Sequence, residues 1–465
     1  MTGPAADSIP PSVASAINRA SGGRPVPGNQ VELLIDGPDT YAAMLELIAG
    51  ASRWIHFENY IIRSDTEGWR FAEALEARAR EGIPVRVLYD GVGSLFTARK
   101  LWRSLRRAGA EVRAFHPVNP LHMVTNFARD HRKLVVADGA RSVIGGLCIG
   151  CEWTGDGDRV HPWRDTAVRI AGPAAAVLDQ AFARSWSAAG KPLPDDEAAG
   201  RVTPEGEGEV RVIAGEPGRE RTFRVIELLA AGSVERLWIT DAYMVAPPRL
   251  FQALRDAARD GVDVRMLVPG SSDLPLIRNL SRIGYRELLR SGVRIYEWDG
   301  PMLHAKSIVA DGRWVRIGSS NLNPSSLIGN YELDVLIDDP ALAEAMERQF
   351  RLDIGRSREV RRRPVRGPRR ISEALPTALT RSDPEVSVAR YRRSPREVRR
   401  RAALVLRTIA TNARRSVFLP LSAIFVALGF LFFVLPRETA YVFGVICVWL
   451  AVSAGREAFR RRADR

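Results

Sequence analysis

The sequence predicts an α/β protein built from two repeats, followed by a C-terminal transmembrane helical hairpin. Three observations carry that expectation: an internal duplication, strand–helix alternation within each copy, and two long apolar runs near the end of the chain. The duplication appears in three places. IAGASRWIHFENY (48–60) is echoed by AAGSVERLWITDAY (230–243), GIPVRVLYDG (82–91) by GVDVRMLVPG (261–270), and LRRAGAEVRAF (105–115) by LLRSGVRIYEW (288–298). Each copy reads as a helix, a buried apolar strand, a second helix, then a glycine and another strand. That is βαβ logic and implies a mostly parallel sheet.

Taken in chain order, residues 1–27 are rich in Pro, Gly, Ser and Ala and hold no apolar run of the kind a signal peptide needs, so they read as a flexible, unprocessed tail. The first domain spans 28–190 and opens on the strand-like VELLI at 31–35. A polar Pro/Gly linker, KPLPDDEAAGRVTPEGEGE (191–209), joins it to a second domain at 210–355. An Arg-rich juxtamembrane stretch at 356–415 has too few apolar residues to fold alone, and its end, REVRRRAALVLRTIATNARR (396–415), suits a basic amphipathic helix on a membrane surface. The hairpin occupies 416–455: VFLPLSAIFVALGFLFFVL (417–435), the turn PRET, and AYVFGVICVWLAVSA (440–454). A buried core hairpin is the plainer alternative, but no third domain's worth of sequence remains to bury it. Arg414 and Arg415 before the hairpin, and Arg460, Arg461 and Arg462 in the basic tail 456–465, place both ends on the cytoplasmic side.

Charge needs partitioning before it is interpreted. The 465 residues carry a formal +14, which invites a nucleic-acid partner, but the last 110 residues hold +17 and leave −3 on residues 1–355. Of 68 basic residues only four are lysine: Lys100, Lys133, Lys191 and Lys306. A chain that uses arginine wherever it needs charge keeps lysine where a compact, rotatable ammonium matters. The three cysteines, Cys148, Cys151 and Cys447, exclude a disulfide-stapled scaffold, and the single C-x-x-C lacks the second pair of a zinc site. Cys148 and Cys151 are read as small packing residues rather than as a redox or metal pair.

Two of the four lysines fall in matching motifs. His131-Arg-Lys133-Leu-Val-Val-Ala-Asp138-Gly and His304-Ala-Lys306-Ser-Ile-Val-Ala-Asp311-Gly are both H-x-K-x4-D, followed by Gly145-Gly146 and by Gly318-Ser319-Ser320-Asn321. On a strand, residues i and i+2 share a face, so each His projects with its Lys. An imidazole beside an ammonium suits chemistry at a phosphate diester, where His supplies a nucleophile or an acid and Lys holds a non-bridging oxygen. Asp138-Gly139 and Asp311-Gly312 have two readings: hairpin turns, or contacts with the reaction. Asp165 in PWRDT and Glu332 in NYELDV are the carboxylates suited to orient an imidazole and fix its tautomer. The remaining histidines have plainer readings. His56 is core or cleft lining, His116 and His122 are loop or headgroup-pocket residues, and His161 is a weak candidate for touching substrate. Trp238, Tyr243 and Trp314 lie in strand patterns and read as core.

Together the paired H-x-K-x4-D motifs, GSSNLNPSSL (318–327), NYELDV and WRDTAVRIAGPAAAVLDQAF (163–182) resemble the phospholipase D superfamily, and within it the bacterial cardiolipin synthases, over about residues 30–355. The resemblance implies two pseudo-twofold-related phospholipase D-type α/β/α repeats with both His-Lys pairs in one cleft. It also implies a metal-free and cofactor-free two-step phosphatidyl transfer through a phosphohistidine. Residue by residue, His131 would be the nucleophile and His304 the acid and then the base, roles that symmetry could exchange. Lys133, Lys306 and Asn321, with Ser319 and Gly146, would hold phosphoryl oxygens or orient the site, and Asp138 and Asp311 complete the motifs. Where the family usually has Asn in G-G-x-N, this chain has Cys148, so the two halves are not equivalent.

Four functions follow from these readings. The first is synthesis of cardiolipin from phosphatidylglycerol and a second phospholipid, at the bacterial cytoplasmic membrane, with the Arg tract holding the cleft against an anionic surface. Hydrolysis to phosphatidic acid differs only in letting water resolve the phosphohistidine. A nuclease is disfavoured by the −3 charge of the catalytic part, so no nucleic-acid partner is expected. A non-catalytic lipid-binding protein is disfavoured by two intact His-Lys pairs.

Overall fold

The computed structural model describes residues 11–117, 128–155 and 161–361. The hairpin expected at 416–455, the basic tail and nearly all of the Arg-rich stretch lie outside them. Among the described residues no helix is long and apolar enough to cross a membrane.

The first repeat contributes strands β1 (Val26–Ile35), β2 (Ile55–Asn59), β3 (Val85–Asp90), β4 (Glu111–Phe115), β5 (Lys133–Ala137), β6 (Arg141–Gly145) and β7 (Thr166–Ala171). The second contributes β8 (Gly208–Gly215), β9 (Arg236–Thr240), β10 (Asp263–Pro269), β11 (Arg294–Trp298), β12 (Ser307–Ala310), β13 (Trp314–Gly318), β14 (Glu332–Asp338) and a short β15 (Ser357–Glu359). All join one sheet in the order β15-β11-β10-β9-β12-β13-β14-β8-β1-β7-β6-β5-β2-β3-β4. Apart from β15, the order reads the same outward in both directions from the central β8–β1 pair, so the sequence duplication is a duplication in space.

The helices are α1 (Pro11–Ser21), α2 (Asp36–Ala49), α3 (Thr66–Arg80), α4 (Arg99–Arg107), α5 (Cys151–Thr154), α6 (Pro173–Ala188), α7 (Arg221–Gly232), α8 (Pro248–Arg259), α9 (Pro275–Arg290) and α10 (Pro340–Gly355). One hydrophobic core runs through both repeats. Leu178, Phe182 and Trp186 of α6, and Met346 and Phe350 of α10, share it with Leu134, Ile144, Val315 and Val335 of the sheet. A second core, on α2, α3 and α4, includes Met44, Phe71, Trp102 and Phe57.

Three expectations are corrected. The sheet is not mostly parallel. Strands run parallel only across β2–β3–β4 and β9–β10–β11, where α3, α4, α8 and α9 supply the crossovers. The strands that follow each crossover set are antiparallel; β5–β6 and β12–β13 are joined by short turns, which can connect only antiparallel neighbours, and β7 and β14 return beside them after longer connections. Nor is all of 1–27 a flexible tail, because residues 11–21 form α1. Its Val13, Ala16, Ile17 and Ala20 are fully buried, and the added Cβ of an Ala at Gly232 of α7 would sit 3.4 Å from Val13. The i, i+3, i+4, i+7 spacing is an amphipathic stripe, hidden in the sequence because two of its four members are alanine. Finally, the 191–209 segment is pinned midway. Glu197 is buried and accepts from Arg86 Nε at 2.9 Å, with His56 Nε2 at 3.4 Å. His56 is thereby a core residue. Its Nδ1 lies 2.6 Å from Asp179 and its ring stacks on Phe182.

Replacing Ile17 by Ala is expected to lower unfolding stability by about 2–5 kcal/mol, the usual cost of truncating a buried aliphatic side chain. Urea denaturation measures it. A wild-type midpoint would mean that α1 contributes nothing to the fold.

Candidate active site

The two H-x-K segments enter strands β5 and β12 side by side with the carboxylates that serve them, and the contact crosses between repeats. Asp130 pairs with Tyr331 and Leu303 with Arg164 in isolated parallel bridges. His131 N donates to Tyr331 O at 2.9 Å, and His304 N donates to Arg164 O at 2.7 Å. The next residue on each partner strand is a carboxylate, so Glu332 of the second repeat meets His131 of the first, with 3.0 Å between Oε2 and Nδ1. Asp165 of the first repeat likewise meets His304 of the second, with 2.7 Å between Oδ2 and Nδ1. Both carboxylates were legible in the sequence, but the crossed pairing was not. A proton on each Nδ1, donated to the carboxylate, leaves Nε2 as the free basic nitrogen.

Of the four lysines, Lys133 and Lys306 are fully buried while Lys100 and Lys191 are exposed. Lys133 Nζ donates to the His131 carbonyl and Lys306 Nζ to the His304 carbonyl. Lys306 Nζ also stands 2.9 Å from His304 Nδ1.

The site's electrostatics follow from removing these charges from water. Burial, and then the Lys306 ammonium, bring His304 down to about 4 despite Asp165. Burial likewise holds His131 below its ordinary value, with Lys133 and Lys306 adding to the effect against the pull of Glu332. Burial lowers Lys306 to about 8, with Asp165 opposing and Lys133 assisting. For Asp165 burial alone would raise the carboxyl, but His304, Lys306 and the Trp153 hydrogen bond together carry it down to about 2. Each lysine lowers both histidines, so the two pairs lie within electrostatic reach of one another.

The glycine and serine after each motif support the carboxylates. A Cβ on Gly146 would lie 2.2 Å from Asp165 Oδ1, so only glycine admits that carboxylate. Ser319 Oγ donates to Glu332 Oε2 and accepts from Leu333 N at 2.9 Å. Asn321 is buried, with its Oδ1 lacking any protein partner. Cys148, at the matching place in the first repeat, is buried as a free thiol; burial pushes it up, while Lys133 and Lys306 pull it down.

Asp138 and Asp311 are not in the site, and of their two readings the turn is correct. Both have left-handed φ, +58° and +51°, as do Gly139 and Gly312 after them. Their carboxylates clamp backbone amides: Asp138 accepts from Ser52, Arg53 and Trp54, and Asp311 from Val234, Glu235 and Arg236. Five strand positions, about 16 Å, separate each from its lysine. The fixed motif spacing therefore reports a turn that ties β5 to the start of β2 and β12 to the start of β9.

Four aromatic residues join the site, three of them, Tyr60, Tyr243 and Trp153, from outside the motifs. The Tyr60 ring lies 4.9 Å from His131 and 5.2 Å from Lys133 Nζ. Tyr243, expected in the core, instead lies 5.9 Å from both His304 and Lys306 Nζ, its hydroxyl donating to Asp273 at 2.7 Å. Trp153 Nε1 donates to Asp165 Oδ2 at 2.9 Å, and the Trp163 ring sits 5.6 Å from His304. The signal for the tyrosines was present, since the first pair of echoed segments ends in ENY and DAY. Buried Asp241 of the latter accepts from Leu322 N at 2.8 Å and Tyr243 N at 3.1 Å, and burial raises it to about 6. Trp238 and Trp314 are buried in strands as expected. His116 holds Ala128 O at 2.9 Å in a loop, His161 is exposed, and His122 lies outside the described residues.

Comparison with known proteins agrees with this geometry. The family described as "Cardiolipin synthase, PLD-like domain" matches residues 44–186 and 225–354. The chain is 34% identical over 349 residues to cardiolipin synthase A of Pseudomonas entomophila (strain L48), covering 74% of this chain and 72% of that protein. It is 33% identical over 336 residues to cardiolipin synthase of Halalkalibacterium halodurans, covering 71% of this chain and 67% of that one. Among solved structures, phosphatidylserine synthase of Haemophilus influenzae Rd KW20 superposes with a TM-score of 0.60 at 18% identity, over 75% of this chain and 92% of the other, a likeness of fold.

Two outcomes follow. Asp138→Asn and Asp311→Asn should lower the thermal midpoint while leaving turnover per folded molecule within about threefold, since each loses amide acceptors far from the site. A large loss of turnover at an unchanged midpoint would restore them to the chemistry. Acid should also destabilise the fold through His304. Below pH 6.5 the unfolded imidazole takes a proton that the buried one refuses until about pH 4, so the unfolded state binds more protons and stability falls across that window. Denaturant midpoints from pH 7 to 4 should decline less steeply in His304→Gln, and equal slopes would contradict the assignment.

Proposed function

The chain belongs to the family of cardiolipin synthases with a phospholipase D-like domain, and we propose that it makes cardiolipin by transferring a phosphatidyl group from phosphatidylglycerol to a second phospholipid. The observation that carries this reading is the pair of imidazoles, each held at Nδ1 by a carboxylate from the other repeat and flanked by a buried lysine. In-line displacement at phosphorus needs groups on opposite sides, and two facing repeats supply them.

His131 Nε2 attacks the phosphorus of phosphatidylglycerol, the bond to the glycerol oxygen breaks, and protonated His304 gives its proton to that alkoxide. The entering phosphate anion favours the imidazolium that burial otherwise opposes. His304, now neutral, takes the proton from the hydroxyl of the second lipid. That oxygen attacks phosphorus, and the phosphorus–nitrogen bond breaks with its electron pair returning to His131. Lys133, Lys306 and the Asn321 amide hold the non-bridging oxygens through the transition state. His131 is assigned the attack because its side chain is the more exposed, 12% against 7%, and its carboxylate contact the longer. Glu332 and Asp165 fix the tautomers and stabilise the imidazolium that forms. The expected hairpin at 416–455 and the basic stretch before it hold this site against an anionic cytoplasmic leaflet.

Incubating membranes that contain the protein with labelled phosphatidylglycerol tests the reading. Cardiolipin and free glycerol are the expected products, phosphatidic acid would replace transfer by hydrolysis, and no turnover would end the enzyme reading. His131→Ala and His304→Ala should each lower turnover by about a thousandfold or more. A trapped phosphatidyl adduct should map to His131. Its appearance on His304 would exchange the two roles.

A further inference from the structure

The described surface carries few large exposed apolar side chains, and six of them fall at matched places in the two repeats. Val92, Leu95 and Phe96 lie in the loop after β3, and Leu274, Leu280 and Ile283 lie in the loop after β10 and along α9. Phe96 is 87% exposed and Ile283 76%. Large apolar residues exposed to this degree mark an interaction surface when they gather, not when scattered.

Both groups connect to the catalytic histidines by one step. A Cβ on Gly93 would lie 2.3 Å from Tyr60 O, and Ser94 Oγ donates to the same carbonyl at 3.2 Å. Tyr60 in turn packs on His131. In the second repeat Asp273, next to Leu274, accepts the Tyr243 hydroxyl, and Tyr243 packs on His304. Each apolar group therefore begins next to the loop residue that touches the tyrosine lining its half of the site, and Leu280 and Ile283 continue it about 9 and 13 Å further along α9.

Their neighbours are basic. Exposed Arg99, Lys100 and Arg103 follow Phe96 on α4. The other flank of α9 lines a groove of about 620 Å³ with Arg286, Arg290, Arg358 and Arg361 against Glu297 and Glu359. Apolar side chains at a level with arginine and lysine are the composition that seats a protein in the headgroup region of an anionic bilayer.

Resting on the proposed function, we propose that these two rims insert into the membrane surface on either side of the site, so that substrate reaches the histidines from the bilayer and not through water. The occupant is the lipid surface itself. Its acyl boundary takes Phe96 and Ile283, and its anionic headgroups face the arginines.

The test uses the full chain reconstituted in vesicles of phosphatidylglycerol and phosphatidylcholine. In Leu95→Ser/Phe96→Ser and Leu280→Ser/Ile283→Ser, the ratio of turnover on vesicles to turnover of monomeric short-chain phosphatidylglycerol should fall about tenfold or more. An unchanged ratio overturns the proposal. So does parallel loss of both activities, which would mean that the residues support the fold. A second readout is independent of activity. In a Cys151→Ser/Cys447→Ser background, a fluorophore on Phe96→Cys should be quenched by nitroxide on the lipid acyl chains, while one on Glu81→Cys, before the far end of β3, should not. Equal quenching at both positions overturns docking. Wild-type protein inactive on both substrates but quenched at Phe96→Cys would sink the enzymatic reading and leave the rim standing.

Discussion

Two backbone bridges determine almost everything else in this molecule. Asp130 with Tyr331, and Leu303 with Arg164, bring the residue before each histidine against the residue before each carboxylate. Because β1 and β8 pair at the centre of the sheet, those bridges join one repeat to the other. Each half thus contributes the imidazole of one pair and the carboxylate of the other. Neither half could hold a tautomer-fixed histidine alone, so duplication here makes one site and not two.

The crossing also explains how so much charge is tolerated out of water. Lys133, Lys306, Glu332 and Asp165 are all buried, and an unpaired charge in such a place is strongly destabilising. Here each carboxylate feels the ammonium of the other repeat, Glu332 that of Lys133 and Asp165 that of Lys306, and the histidines stay neutral because burial and two ammoniums oppose a further positive charge. The arrangement is poised for a phosphate diester, whose anion completes the balance and permits one imidazole to carry a proton.

Symmetry is incomplete, and the departures gather behind His131. Asp130, Arg132 and Glu58 are buried there, where the second repeat has Leu303, Ala305 and Thr240. Arg132 Nη1 donates to Ala181 O at 2.9 Å and Ser185 Oγ at 2.7 Å, and burial pushes the carboxyls of Glu58 and Asp130 up. Cys148 and Gly146 stand opposite Asn321 and Ser319. Two chemically different walls around two similar imidazoles suit a reaction in which one histidine bonds to phosphorus and the other moves protons.

The sequence by itself determined the duplication, the strand character of each repeat, both His-Lys pairs, both orienting carboxylates and the separation of a faintly acidic body from a basic C-terminus. These are legible because they rest on local spacing: period two along a strand, echoed segments, and lysine kept at two of its four positions within matching motifs. Tertiary structure alone decided the rest. The alanine-rich stripe of α1 became a helix because α7 was there to cover it. The motif aspartates became turn clamps because the amides of Ser52–Trp54 and Val234–Arg236 arrive at the far ends of their strands. Tyr243 left the core for the site because its loop turns at Asp241. The carboxylates exchanged partners because the two repeats meet at β1 and β8. A carboxylate's partner is set by which backbone lies within a hydrogen bond of it, and across a sheet that neighbour can be some two hundred residues away, a distance that no local pattern encodes.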